Sequence, residues 1–568
     1  MNAVKPESLA LQRLIHWERT APDRIALSQP MGGGVVRHFT WAQVADQVRR
    51  MAAHLKAQGW EPGSKVAILS KNCAWWLMSD LAIWMAGYVS VPLYPTLAAD
   101  TVEQILTHSE ARACFIGKLD GWEGMKPGVP AGLPCISYPL SPPDAINGLE
   151  GWEAVCARNP PLAGNPTRGA IELCTLIYTS GTTGKPKGVM HSFGNFAWAL
   201  DSGITRIPMT AEDRMLSYLP LAHVVERVLV EHGWLRTGFH VFFAESLETF
   251  TVDLQRARPT IFFSVPRLWV KFQHGVHHKL PPAKLARLLA IPIIGGLVRR
   301  KVQKALGLDQ CRFAAGGAAP MPVALLAWYR KLGLPINEGY GMTENLAVSH
   351  LTLPGQNQEG TVGPAYDGVD ARIDAESGEI QMRSGALMLG YYKEPELTRE
   401  AFTADGWLRT GDTGQVDAQG ALRITGRLKD LFKTSKGKYV APAPIEDKLG
   451  MHASVEACIV AGANLGQPLG IVMLNPEAAA LAGNPAARAE LEHSLAEHLR
   501  SVNAVLDPHE QLACLVIVTT AWTVDNDLIT PTFKVKRNRI EELYAVNYER
   551  WEMSGKKVIW QSGSGPAA

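Results

Sequence analysis

The sequence predicts an α/β protein: a large N-terminal domain of parallel-rich sheets covered by helices, followed by a small α+β C-terminal domain. Three observations carry this. The chain has 568 residues, more than one hydrophobic core accommodates, so it must divide. Strand-like and helix-like apolar patterns alternate through residues 1–170, as parallel sheets with covering helices require. From Lys429 onward the pattern changes to short strand and helix units with apolar content of their own.

The individual elements follow from local chemistry. FTWAQVADQVRRMAAHLKAQGW (39–60) places apolar residues at helical spacing, with Thr40 as N-cap. SKVAILS (64–70) reads as a short apolar strand, residues 73–86 as a buried helix and YVSVPLYP (88–95) as the next strand. The Pro- and Gly-rich stretch 127–168 reads as loop. KYVAPAPIEDKLG, VEACIVAGA and LACLVIVTTAW supply the C-terminal units, and the boundary falls at 427–430, giving domains 1–428 and 429–568. The tail SGSGPAA has a disordered composition.

Composition narrows the function. Lys plus Arg is 56 and Asp plus Glu is 54, so there is no global attraction to nucleic acid or anionic lipid, and any anionic ligand needs a local site. Eight single cysteines without a CxxC pair leave a zinc ribbon or thioredoxin-like motif unsupported and read as reduced thiols. The N-terminus carries Glu7 and no long apolar core, so it is a poor signal peptide. A cytoplasmic protein is expected. Residues 75–95 are interrupted by Asp80, and no other run reaches the roughly 20 apolar residues of a membrane span. The run 288–298 is flanked by cations from Lys279 to Lys304. It reads either as a solvated helix pair or as an interfacial element giving weak peripheral membrane contact.

The strongest local signal is YTSGTTGKPKGVMH (178–191), where the apolar strand LCTLIY enters a loop of hydroxyls and glycines. Gly181, Gly184 and Gly188 let backbone N–H groups approach a bulky anion. Thr179, Ser180, Thr182 and Thr183 add hydroxyl donors, and Lys185 and Lys187 add positive charge. The P-loop pattern fails: Thr179 stands where its first glycine belongs, and Pro186 follows Lys185 in place of Ser or Thr. Proline there also opposes an immediate helix.

This loop resembles the signature of the adenylate-forming superfamily, which includes acyl-CoA synthetases, peptide-synthetase adenylation domains and firefly luciferases. Further motifs in the family's order, over residues 40–540, strengthen the likeness. In LPLAHVVERV (219–228) the resemblance places His223 near the acyl carboxylate; a turn hydrogen bond is the competing role. In RFAAGGAAP (312–320) it places Gly316, Gly317 and Ala318 against adenine and the acyl group. In NEGYGMTEN (337–345) Glu338, Gly339, Tyr340, Gly341 and Met342 line the nucleotide, with Tyr340 facing adenine. Thr343 binds the α-phosphate there, and Glu344 is a ligand for Mg²⁺. Asp412 in WLRTGD holds the ribose hydroxyls, Arg427 in ITGRLKD contacts the ribose, and Lys429 falls at the hinge before a mobile C-terminal domain. In LITPTFKVKRNRI (528–540) the catalytic lysine is Lys534, with Arg537 and Arg539 expected on a solvated face.

FKTSKGKYVAPAPIE (432–446) is similar to the long-chain acyl-CoA synthetase form, although Lys436–Gly437 replaces the usual glycine pair and leaves the loop's shape open. The resemblance thus implies an AMP-forming acyl-CoA synthetase using ATP, Mg²⁺ and coenzyme A, with a long- or medium-chain fatty acid as substrate. Loading of a carrier protein, a nucleotide-binding regulatory protein, and a peripheral membrane scaffold are the alternatives.

Overall fold

A computed structural model describes residues 4–180, 186–355, 360–481, 483–524, 526–530 and 534–561. The chain forms two compact units. The first comprises the chain up to Ala319, Ala324–Ala371 and Gln381–Arg409; the second comprises Pro320–Val323, Arg372–Ile380 and the chain from Thr410 on. The C-terminal tail SGSGPAA lies outside the described residues.

The first unit is built on an eight-stranded sheet. Its order is Gly390–Tyr391, Pro186–Ser192, Leu173–Ser180, Val89–Leu93, Lys65–Leu69, Ala111–Ile116, Cys135–Ser137 and Glu150–Gly151. From Leu173–Ser180 to Glu150–Gly151 every pairing is parallel. Its central strands are buried on both faces, which explains why they read as continuous apolar runs. Helix Trp41–Lys56 begins where its cap predicts. Thr40 Oγ1 accepts from the Gln43 N–H, and Gln43 Oε1 accepts in return from the Thr40 N–H. On its buried side Trp41 stacks on Trp234 at 4.5 Å.

The stretch 127–168 is not all loop, as its proline and glycine content led us to expect. It holds the strand Cys135–Ser137 and the helices Pro143–Gly148 and Trp152–Arg158. Proline is accommodated as the first residue of Pro143–Gly148, where a missing N–H costs nothing, and buried Trp152 and Val155 supply the apolar face.

Helix Ala74–Met85 is buried at every position, Asp80 included. The reason lies 147 residues away: the Arg227 guanidinium donates to Asp80 at 2.5 Å, pairs with Glu231 at 2.9 Å and donates to Thr175 Oγ1 at 3.2 Å. All three charged side chains have zero exposure. Trp76, Trp84 and Phe196 surround the cation at 5.3–5.9 Å. Burial drives the Glu231 carboxyl far upward and raises that of Asp80. The neighbouring Arg227 cation opposes that rise at both carboxyls. Arg227 opens a π-helical turn, Arg227–His232, that follows the short helix Val224–Glu226.

In the second unit Val455–Ala461 pairs antiparallel with Leu469–Leu474, which continues in parallel to Leu515–Val518 and Val558–Trp560. Helix Pro485–Asn503 buries Leu495, Leu499 and Val502. The Lys436–Gly437 loop is a tight hairpin between Phe432–Lys433 and Tyr439–Val440, closed by Thr434 N–H to Lys438 O at 2.9 Å. Gly437 takes its left-handed residue, φ +73°, so one glycine suffices. Arg537 departs from the expected solvated face. It pairs with Glu446 at 2.5 Å and donates to the Val460 carbonyl at 2.7 Å, tying helix Pro442–Leu449 to strand Val455–Ala461. Arg539 is exposed, against Glu542 and Asp527.

Truncating one member of a buried ion pair strands its partner at a cost of about 3–5 kcal/mol. Arg227→Ala is accordingly expected to lower the urea midpoint by that equivalent. Arg227→Met combined with Asp80→Leu and Glu231→Gln, which removes every charge, should recover most of it. Equal loss in both variants would show that packing, not charge pairing, sets the stability here.

Candidate active site

The loop 178–191 closes a β-hairpin. Leu173–Ser180 runs antiparallel to Pro186–Ser192, with Thr179 opposite Lys187 and Ser180 opposite Pro186. A strand follows the loop, in keeping with Pro186, and the helix Phe193–Arg206 starts only at the far end of that strand. Gly181, Thr182, Thr183, Gly184 and Lys185 lie outside the described residues, as does the Ser180 side chain.

The TEN turn is fixed against this hairpin by three contacts. His191 Nε2, at the end of the motif, lies 2.8 Å from the Thr343 carbonyl, which requires the proton on Nε2. The Met388 N–H donates to the Glu344 carbonyl at 2.8 Å. Tyr391, on the strand paired with Pro186–Ser192, donates its hydroxyl to Glu344 Oε1 at 2.8 Å. Lys187 Nζ stands 5.5 Å over the Tyr391 ring. Burial and the Glu344 charge both push the Tyr391 phenol upward, so it remains a donor. Thr179, Lys187, Thr343 and Glu344 are all half-buried.

Gly316, Gly317 and Ala318 follow one another at the C-terminal end of Phe313–Gly316, whose parallel neighbour Ile336–Tyr340 carries Glu338, Gly339 and Tyr340. Ligands bind parallel sheets at that end. A side chain on Gly317 would sit 2.7 Å from the Gly339 carbonyl, and one on Gly341 would sit 2.4 Å from Ala347 backbone. Ala318 is exposed at φ +67°, and Leu346 and Ala347 are also left-handed. Such strain collects where a ligand-facing backbone is held by its surroundings. Met342 precedes the turn, its N–H donating to Asn345 Oδ1 at 2.9 Å. Tyr340 is half-buried beside His350.

His223 caps the helix Val224–Glu226, its Nδ1 accepting from the Val225 N–H at 3.3 Å. The turn-forming role is thus present, with the ring half-buried. Below it the Glu226 carboxylate accepts from Ser217, Asn72 and the Tyr218 N–H at 2.8–3.1 Å, and burial raises its pKa to about 8.

In the second unit Asp412 and Arg427 stand opposite one another on paired strands, with Arg427 Nε 3.0 Å from Asp412 Oδ1. Asp412 is mostly buried and Arg427 largely exposed, so the carboxylate is oriented by a cation that water still reaches. Lys534 is exposed; its N–H donates to Thr530 Oγ1 at 3.0 Å and its carbonyl accepts from the Thr530 N–H at 2.7 Å. Neighbouring Lys536 is engaged with Asp527.

Residues 14–392 match the family described as AMP-binding enzyme, and residues 429–550 match the AMP-binding enzyme C-terminal domain. The chain belongs to the AMP-binding enzyme family. It is 31% identical to the long-chain-fatty-acid–CoA ligase FadD15 of Mycobacterium bovis, across 94% of this chain and 95% of the relative. It is 30% identical to long chain acyl-CoA synthetase 4 of Arabidopsis thaliana, across 89% and 85%. Among solved structures, the adenylation domain of a carboxylate reductase from Mycobacterium chelonae superposes with a TM-score of 0.79 at 22% identity, covering 96% of this chain and 91% of that one. The anthranilate CoA ligase AuaEII in complex with anthranoyl-AMP gives 0.75 at 22%, covering 95% and 98%. These likenesses establish the fold, which is the α/β architecture the sequence predicts.

Sequence reasoning missed His191, Tyr391, Arg227 and Glu226. His191 and Arg227 lay inside quoted motifs without a role, and Asp80 figured only as a break in an apolar run. Tyr391 had no local signal, because its contact with Glu344 spans 47 residues.

Burial holds His191 and His350 down to about 4, against 6.5 for an ordinary histidine. The unfolded chain therefore takes up these protons first as pH falls. The stability they contribute is complete above pH about 6.5 and is lost progressively down to about 4, roughly 3 kcal/mol each. His191→Gln keeps an amide donor for the Thr343 carbonyl but cannot titrate. Urea midpoints measured from pH 7 to pH 4 are expected to fall less steeply in this variant; an unchanged slope would show that His191 is not neutral in the folded chain.

Proposed function

We propose that this chain is an AMP-forming acyl-CoA synthetase that activates a long-chain carboxylic acid. The observation that carries the reading is the fixing of Glu344 and Thr343 against the phosphate hairpin by Tyr391 and His191. That arrangement brings a carboxylate, a hydroxyl-bearing turn and the Lys187 cation to one hairpin before substrate arrives, and preorganised groups of this kind stabilise phosphoryl transfer.

The carboxylate of the acid attacks the α-phosphorus of ATP, an acyl–oxygen–phosphorus bond forms, and pyrophosphate leaves. Thr179, Ser180, the loop Gly181 to Lys185 and Lys187 hold the departing pyrophosphate, and Thr343 holds the α-phosphate. Gly316, Gly317, Ala318 and the 338–342 segment seat the adenosine, Tyr340 against adenine, while Asp412 and Arg427 take the ribose. Then the thiol of coenzyme A attacks the acyl carbon and AMP leaves with the bonding pair. We assign His223 to the side of the acid's carboxylate by its place in the LPLAHVVERV motif. Among the described residues no cluster of three His, Cys, Asp or Glu could hold a metal ion. A single hard carboxylate, oriented by a phenol, instead fits Mg²⁺ carried largely by phosphate oxygens. When bound, Mg²⁺ at Glu344 neutralises phosphate charge.

The small domain, residues 429–568, moves about Lys429 between the two steps, so that Lys534 serves adenylation and withdraws for thioester formation. Long-chain specificity is supported by the names of the relatives at about 30% identity. The partners are then fatty acid, ATP and coenzyme A, with weak peripheral membrane contact at the source of the acid.

Given oleate, ATP, Mg²⁺ and coenzyme A, the chain is expected to release AMP and pyrophosphate. Lys534→Ala should slow adenylate formation by roughly a hundredfold, the order of losing one preorganised charge-stabilising donor. The same variant should convert synthetic oleoyl-AMP and coenzyme A to thioester at nearly the normal rate. Lys536→Ala, which loses only a contact with Asp527, should change the first step much less. ADP as product would overturn the reading, and equal slowing of both half-reactions would overturn the role of Lys534.

A further inference from the structure

From Leu254 to Leu308, 55 residues, the sequence contains no Asp or Glu and 11 Lys or Arg. The carboxylates that bound this stretch are already engaged, Asp253 by Arg256 at 2.8 Å and Asp309 by Arg258 at 2.5 Å. At its centre are two short helices, Pro282–Ala290 and Ile294–Ala305. They approach so closely that a side chain on Gly295 would lie 2.5 Å from the Leu289 carbonyl. Lys284 and Arg287 are exposed on the first helix, and Arg300, Lys301 and Lys304 on the second.

The joint between them is apolar and strained. Ile293 has φ +66° and ψ −55°, and the Ile294 N–H donates to the Pro292 carbonyl at 2.7 Å, a γ-turn of the rarely populated hand. A β-branched residue pays steric strain there. Ile293 is nevertheless 85% exposed, with Leu297 at 61%, Ile291 at 44% and Ile294 at 43%. Within the helix Leu297 shares a face with Arg300, Lys301 and Lys304. The result is an aliphatic tip with a collar of cations in a sequence stretch that holds no acid, which complements an anionic headgroup layer over hydrocarbon.

We infer that this helix pair docks the protein on an anionic bilayer, with Ile293 and Leu297 entering the acyl boundary and the collar binding lipid phosphates. The inference deepens the ligase reading, on which its purpose rests, by naming the lipid class and the residues: docking would deliver a long-chain acid that is scarce in water. Each cation near an anionic surface is worth about a fivefold gain in binding.

The full chain is tested by flotation with phosphatidylglycerol–phosphatidylcholine vesicles, with phosphatidylcholine vesicles alone, and with soluble polyglutamate. Binding is expected to the anionic vesicles, to weaken with added NaCl, and to fall by roughly 25-fold in Arg300→Gln/Lys301→Gln. Ile293→Ser/Leu297→Ser should lose the part that survives high salt. AMP formation from detergent-dispersed oleate should be unchanged in both variants. Absence of anionic-vesicle binding, equal binding to neutral vesicles, or complete competition by polyglutamate, which would mark an acidic protein as the partner, overturns the inference. Vesicle binding without AMP formation would refute the ligase reading and leave the docking surface standing.

Discussion

The guanidinium of Arg227 has no exposure to water, and its bonds reach three segments that are far apart in sequence. Asp80 belongs to the fully buried helix, Glu231 to the π-helical turn, and Thr175 to the strand that leads into the phosphate hairpin. Thr175 passes the link on, donating to the Ser90 carbonyl on the next strand at 3.0 Å. A buried cation tolerates little displacement, because every ångström away from its partners is uncompensated desolvation. The helix, the sheet and the LPLAHVVERV segment are thus held in one register, with His223 and Thr179 each four residues from this anchor.

On that frame the site is organised from backbone outward. The strand Pro186–Ser192 stands where a P-loop would continue into a helix, so in the proposed reading hydroxyls, backbone N–H groups and Lys187 take the place of a helix dipole. The neighbouring edge strand contributes Tyr391, and His191 reaches the turn from the same hairpin. The residues proposed for phosphate and metal are held by His191 and Tyr391, to which the proposed reading gives no substrate contact. In the proposed reading, the Tyr391 contact orients Glu344 as a metal ligand.

Much of this was legible from residues alone. Thr40 announces the N-cap, and strands alternating with helices announce a largely parallel sheet. Pro186 argued against a P-loop, and the hairpin bears that out. The remainder was hidden for physical reasons. The 127–168 stretch conceals helices because proline is harmless in a first turn. Arg537 sits in a basic run that looks solvated, and its partner Glu446 is 91 residues away. Asp80 and Arg227 are ordinary polar letters until the fold brings them together at 2.5 Å. Tyr391 carries no motif of its own and gains meaning only as the neighbour of Glu344.

The two-step account makes one demand that an ADP-forming ligase or a nucleotide-switch account does not: the first step must be reversible and complete without coenzyme A. Exchange of radiolabelled pyrophosphate into ATP measures that step alone. The account predicts exchange that requires a long-chain acid, proceeds with no coenzyme A present and falls sharply when Glu344 is replaced by Gln. No acid-dependent exchange, or exchange only when coenzyme A is added, would contradict it.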